Sequence, residues 1–296
     1  MIEHWQLKQR QSLPLEGKIL FTKARIKEFY IKMDGNVYVS FSGGKDSTVL
    51  LHLVRSMYPD VPAVFVDTGL EYPEIRDFVK TIDNVVWLKP KMPFNQVIEK
   101  YGYPVISKEV AHKIHQIRTT KSDKLRNKRL HGQDGNGKLS EKWKYLVDAP
   151  FKISHKCCDV MKKRPVKAYE KQTGNAPFVG TMACESAGRL TSYLRSGCNS
   201  FTGRAMSTPM AIWLEQDVYD YLEMFGLPIA EIYHKGAKRT GCIFCMFGAH
   251  FDDDKRFEIL KKVHPKLYDY CMNHLGLERV MWYVNLRRLP VLDDIW

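Results

Sequence analysis

The chain has 296 residues and carries 46 Lys and Arg against 33 Asp and Glu, a formal net charge of +13 at pH 7. That length buries a large core, and the positive field draws polyphosphates, nucleotides or nucleic acid rather than cationic ligands. No apolar run reaches membrane-spanning length and the opening MIEHWQLKQRQ lacks the pattern of a secretory signal, so a soluble, cytoplasmic protein without membrane association is expected.

Taken in chain order, residues 16–33 read as a helix, with Ile19, Leu20, Ala24, Ile26 and Phe29 at helical spacing. NVYVSF (36–41) reads as a strand and STVLLHLVRSMY (47–58) as the helix after it. PAVFVDTG (62–69) is a second strand, YPEIRDFVKTI (72–82) a helix and NVVWLKP (84–90) a third strand. This alternation predicts an α/β fold with a twisted parallel sheet covered on both faces. From about 112 to 147 the pattern gives way to Lys, Arg and His with a turn cluster at 132–137, expected to form an exposed helical arm. The α/β pattern returns with APFVGTMA (176–183) and VYDYLEMFG (218–226), and a helical region is expected from Asp253 to Leu275. The expected division is a helical segment at 1–35, a nucleotide-binding domain at 36–250 and a helical region at 251–296.

The stretch YVSFSGGKDSTVLL (38–51) runs a buried strand into a loop of Ser42, Gly43, Gly44, Lys45, Asp46 and Ser47 and then into a helix. Open α/β sheets bind ligands where a strand's carboxyl end meets a helix, and two glycines let backbone amides approach a phosphate. Lys45 adds a charge and Ser47 a donor; a plain turn capped by Asp46 or Ser47 is the alternative. The spacing is not that of the GxxxxGK[ST] loop.

SGGKDS resembles the PP-loop of the N-type ATP pyrophosphatases. FVDTGLEYPE (65–74), GTMACESAGR (180–189) and PMAIWLEQDVYDYLEMFGLP (209–228) are similar to segments of the phosphoadenosine phosphosulfate reductase family, in that family's order. The resemblance implies a Rossmann-like sheet of the adenine nucleotide alpha-hydrolase type, with ATP and Mg²⁺ held at the loop and Lys45, Asp46 and Arg189 in catalytic positions. Asp67 and Thr68, at a strand end, would reach adenosine hydroxyls or a metal-bound phosphate, or else cap their turn. Arg189 offers a planar fork to phosphate or sulfate oxygens, or pairs with Glu185 at i,i+4 spacing. Trp213 and Asp217 read as packing and helix-start residues.

There are seven cysteines. Cys157 and Cys158 are adjacent, and Cys242 and Cys245 form a CxxC on a glycine-bearing turn; together they supply four thiolates, enough for zinc or for an iron-sulfur cluster, with a redox disulfide as a further alternative. The order CC then CxxC looks like the ligand set of assimilatory adenylyl-sulfate reductases, which implies a 4Fe-4S cluster. Cys184 and Cys271 are expected in the core, and Cys198, in the loop RSGCNSF, is the candidate spare thiol.

Two departures shape the functional expectation. The Glu-Cys-Gly-Leu-His segment that carries the reductases' nucleophile has no counterpart here, and the PP-loop is complete where the reductases tend to carry a degraded one. Both tilt the reading toward ATP and adenylation-coupled sulfur transfer, the logic of PP-loop enzymes that modify tRNA or DNA. In the basic insert, Lys121, Lys124, Arg126, Lys128 and Arg129 would then meet a nucleic-acid backbone, with Trp143 and Tyr145 as stacking groups. The alternatives are a sulfonucleotide reductase served by a thioredoxin-type donor and releasing sulfite, and a nucleotide-binding accessory protein without turnover. A sulfur donor is a further expected partner of the first reading, and an oligomer is compatible with all three.

Overall fold

The computed structural model describes residues 2–133, 137–250 and 255–286. Its strands are β1 (Val37–Ser40), β2 (Ala63–Val66), β3 (Val85–Leu88), β4 (Val105–Ile106), β5 (Ala176–Val179), β6 (Asn199–Ser200), β7 (Met206–Ser207) and β8 (Met246–Phe247). The chain forms two compact units, one from the described residues of Met1–Asp67, Pro73–Lys89 and Pro165–His234, the other from those of Thr68–Tyr72, Pro90–Arg164 and Lys235–Trp296. The sequence suggested three consecutive segments; instead the chain crosses between units at the ends of strands and helices, which local periodicity does not mark.

In the first unit six strands form one sheet in the order β3-β2-β1-β5-β7-β6, parallel throughout except for the β6/β7 edge pair. Val39 pairs with Ala63 and Val37 with Ala176, so β1 lies between β2 and β5. β1, β2 and β5 are each buried except at their last residue, as fits continuous apolar runs covered on both faces. The order reverses at the boundary of β1 and β5, and at such a switch point the loops leaving the two strands diverge and open a crevice. Phe29, from the helix Leu15–Lys32, meets Phe178 of β5 edge-on at 5.2 Å. Trp213 is fully buried and donates to Thr22 Oγ1 at 2.8 Å. Asp217, in the first turn of the helix Glu215–Met224, receives both the buried Lys18 ammonium at 2.7 Å and the Leu214 amide at 2.6 Å. Packing and helix-start roles for these two residues agree with the sequence reading.

In the second unit β4 and β8 form a two-stranded parallel sheet. The basic stretch is helical, as expected, and part of it packs into the unit. It begins with a helix at Lys108–Thr119, capped by Ser107, which buries Ala111, Ile114 and Ile117. A second helix, Asp123–His131, capped by Ser122, buries no side chain, and a 3-10 helix spans Glu141–Asp148. Arg118 ties these together, its guanidinium donating to the carbonyls of Leu146, Val147, Ala149 and Phe151 at 2.6–2.8 Å. The expected turn cluster at 132–137 lies partly outside the described residues, as do the first residues of the expected terminal helical region. That region forms helices at Arg256–Val263, Pro265–Asp269 and Leu277–Leu286, separated where Pro265 restarts the helix. Tyr103 anchors it by donating to the Leu275 carbonyl at 2.9 Å.

Candidate functional site

The loop after β1 is shaped by its glycines. Gly43 has φ +71°, and a Cβ there would stand 2.8 Å from Val79 Cγ2 and 2.9 Å from Ile75 Cγ2, so only glycine fits against the helix Pro73–Lys80. Gly44 is the N-cap of the helix Lys45–Arg55. Ser42 and Ser47 brace the loop from within: the Ser42 amide donates to Ser47 Oγ at 3.2 Å, the Gly44 amide to Ser42 Oγ at 3.3 Å, and Ser47 Oγ to the Gly44 carbonyl at 2.9 Å. The Lys45 amide donates to the Tyr233 hydroxyl at 3.0 Å. Among the described residues no acceptor meets the amides of Gly43, Asp46 and Ser47. Unpaired donors at a helix start form an anion site, since the N–H groups and the helix dipole act together.

The Lys45 side chain is held beside the loop. Its ammonium lies 3.0 Å from Asp46 Oδ1 and 3.1 Å from Glu215 Oε1, and 5.2 Å from the centroid of the Tyr219 ring. Burial works against the charge, but the carboxylates of Asp46 and Glu215 prevail and raise the pKa to about 12. Burial also raises the Asp46 pKa, with Glu185 and Glu215 adding repulsion against the pull of Lys45. Gly180, leaving β5, closes the other side: a Cβ there would approach the Asp46 carbonyl to 3.1 Å.

Asp67 at the end of β2 is buried and paired with Arg76 at 2.9 Å. Thr68 belongs to the second unit, where its amide and hydroxyl both donate to the buried carboxylate of Glu71. This is the turn-bracing role weighed against nucleotide contact. Arg189 forms its i,i+4 ion pair with Glu185, whose carboxylate also accepts the Met182 amide at 2.7 Å. The ion pair uses one guanidinium nitrogen, Nη1, and a carboxylate that precedes the N-cap Ser186 of the arginine's helix.

The four cysteines of the CC and CxxC motifs all lie in the second unit. Cys157 and Cys158 sulfurs are 4.0 Å apart, and the Cys245 amide donates to the Cys242 carbonyl at 2.9 Å in a tight turn. The bond between the adjacent pair leaves the proton on Cys157, whose pKa rises, and lowers that of Cys158 to about 6, with Lys108, Lys162 and Lys163 helping the thiolate. Burial raises Cys242 to about 11 and raises Cys245 as well. The charges of Cys158, Cys242 and Cys245 each reach Cys157, so the four thiols share one electrostatic neighbourhood. Among the described residues no group of three or more His, Cys, Asp or Glu side chains is placed so that it could hold a metal ion. As a donor set the four thiols fit an iron-sulfur cluster: soft ligands, an adjacent pair with a CxxC, and lysines that offset thiolate charge.

Lys162 and Glu71 were not singled out from the sequence. Lys162 lies 3.6 Å from Glu71 Oε1; burial opposes its charge, but Cys242 and Glu71 raise its pKa. Tyr233, Glu215 and Gly180 were likewise missed. Of these only Gly180, directly after an apolar strand, left a local trace.

Three expectations are corrected. Cys184 is exposed rather than in the core, because the short helix Ala183–Glu185 turns it outward. Cys198 is buried and its thiol is pushed up to about 12 by that burial, so it is not a reactive spare thiol. Trp143 is 7% exposed and Tyr145 donates its hydroxyl to the Val284 carbonyl, so neither stands as an open stacking platform. Cys271 is fully buried, as expected.

The phosphoadenosine phosphosulfate reductase domain matches residues 36–247, well over half of the chain. The chain belongs to this family. The matched span contains the loop, Asp67, Thr68, Arg189 and all four candidate metal-binding cysteines of this phosphoadenosine phosphosulfate reductase family protein, which places it in the PP-loop superfamily. Two proteins of Methanocaldococcus jannaschii are 28% and 25% identical over 84% and 82% of the chain; the chain spans under half of their own length, 43% and 49%. The adenosine 5′-phosphosulfate reductase of Geobacillus kaustophilus is 23% identical over 86% of this chain and 91% of that one. Among solved structures, the phosphoadenylyl-sulfate reductase of Candida auris in its phosphate complex aligns with a TM-score of 0.45 and 16% identity, over 82% of this chain and 96% of that one. No helix among the described residues is long and apolar enough to cross a membrane.

Proposed function

We propose that this chain binds ATP at the loop Ser42 to Ser47 and a 4Fe-4S cluster at Cys157, Cys158, Cys242 and Cys245, and adenylates an acceptor for sulfur transfer. The observation that carries the nucleotide reading is the set of open amides at Gly43, Asp46 and Ser47, at the carboxyl end of β1 beside the switch point. The amides would receive pyrophosphate oxygens, while Lys45, exchanging Glu215 for phosphate, would balance their charge. Mg²⁺ favours phosphate and water ligands with one or two carboxylates, and Asp46 is the carboxylate at hand. Arg189, released from Glu185, would steady charge on the transferred group. The cluster would supply sulfur or electrons.

Incubation with ATP and Mg²⁺ tests the reading by pyrophosphate release, which Lys45→Ala should abolish. Turnover unchanged by that substitution removes the loop from the chemistry. Iron, labile sulfide and visible absorption after anaerobic purification test the cluster; stoichiometric zinc in its place overturns it.

A second reading, reduction of adenosine 5′-phosphosulfate with release of sulfite, is favoured by the match along nearly the full length of the Geobacillus kaustophilus reductase. Against it, Cys271, the thiol at a loosely comparable distance past CxxC, is fully buried. Sulfite release without pyrophosphate release would select this second reading. Tight adenylate binding with neither product would make the chain an accessory protein.

A further inference from the structure

The helix Asp123–His131 fully buries none of its side chains; Leu125 and Leu130 are half-buried, and its charged residues are left to another role. Its basic residues divide into two groups. Arg126 is spent within the insert, on Asp123 at 3.2 Å and the Thr120 carbonyl at 2.9 Å. Arg129 is spent likewise, on Gln116 at 2.7 Å and the Gly137 carbonyl at 3.1 Å. Lys124, Lys128 and His131 follow at i, i+4 and i+7 along one side of the helix, and Lys121 stands just before its cap Ser122. Lys121, Lys124 and His131 are exposed and Lys128 half-buried. Asp123, the helix's only carboxylate, is taken up by Arg126.

We propose that this line is a docking surface for the phosphodiester backbone of a base-paired nucleic acid. Lysines carried on and beside one helix match the regularly spaced phosphates of a duplex, and a chain of net charge +13 is already drawn to polyanions. Sequence-tolerant binding of single strands needs exposed aromatic groups on which bases stack. In the insert the aromatic residues are engaged elsewhere: Trp143 is buried and Tyr145 bonds through its hydroxyl to Val284. The surface therefore contacts backbone and does not read bases. This inference stands apart from the nucleotide reading, since neither the loop nor the cysteines take part in it.

The test is fluorescence anisotropy with the full chain, a 20-base-pair duplex and a single strand of the same length, from 50 to 200 mM salt. Three phosphate contacts contribute about 2.7 to the slope of log affinity against log salt, equivalent to about forty-fold over that range. Lys121→Ala/Lys124→Ala/Lys128→Ala should make the slope shallower by that amount, with circular dichroism showing the fold kept. A charge-matched control, Lys23→Ala/Lys27→Ala/Lys32→Ala on the first unit, should retain binding. The proposal is overturned if the single strand binds as well as the duplex, if the insert variant keeps the parent slope, if the control loses as much, or if polyglutamate competes as well as unlabelled duplex.

Discussion

The hydroxyl of Tyr233 accepts a hydrogen bond from the Lys45 amide at 3.0 Å, filling one of the donor positions at the start of the helix that follows β1. A phosphoryl oxygen seeking that amide must displace the phenol. Tyr233→Phe should therefore tighten binding of inorganic pyrophosphate or ATP about five-fold, the worth of one net hydrogen bond, while lowering Tm because the amide is left unpaired in the empty loop. Calorimetric titration and a thermal melt on the same sample check both halves; weaker binding would make Tyr233 part of the anion's own cradle.

Glu215 competes for the same loop from the side-chain end. With Glu215→Gln, Lys45 loses one of its two carboxylates and its pKa falls from about 12 toward the ordinary lysine value. The sign is that of a cation with raised pKa: the stabilisation is fully present below the unfolded value and is lost as pH rises toward 12. Urea midpoints of parent and variant should differ at neutral pH and converge at the alkaline end. ATP affinity of the variant should rise at neutral pH, since phosphate no longer displaces a carboxylate.

Gly43 is fixed by geometry rather than chemistry. Gly43→Ala combines φ +71° with a Cβ pressed to 2.8 Å and 2.9 Å from Val79 and Ile75, and should cost about 2 kcal/mol or more. Denaturant unfolding measures this directly. Gly188, around which a Cβ would meet nothing within 4 Å, is the control that should change little.

These residues also show what the sequence carries openly. β1, its loop and the following helix are continuous in the chain, so apolar run, glycines and helical spacing sit side by side and are read together. The partners that close the loop are not. Glu215 and Tyr233 come from 170 and 188 positions beyond Lys45, brought near by the fold. Arg189 fits either a ligand or an ion pair from spacing alone, and it is the fold that sets it beside Glu185. The insert misleads for another reason: its charged residues dominate the composition, while Ala111, Ile114, Ile117 and Trp143, which fold it, are few.

Lys162 pairs with Glu71, which Thr68 braces, and its charge interacts with those of Cys242 and Cys158. A cation on a ligand sulfur favours the reduced, more negative state of a cluster. Lys162→Met should lower the midpoint potential of the proposed cluster, and Glu71→Gln should raise it, because the lysine then gives its charge to sulfur alone. Anaerobic redox titration followed by visible absorption reads both directions; equal potentials in both variants would assign the two residues to packing only.

Arg118 offers the sharpest test of how the insert is held. Its guanidinium reaches four backbone carbonyls between Leu146 and Phe151, and burial lowers its pKa. A lysine keeps the charge but cannot span those acceptors, having a point charge in place of a planar fork. Arg118→Lys should therefore free the segment locally while the sheet of the other unit remains intact. Limited trypsin digestion should cut after Lys121, Lys124 and Lys128 several-fold faster in the variant than in the parent, with little change in the main unfolding transition. Equal cutting rates would mean that Ile114, Ile117 and Leu146 hold the insert without the arginine.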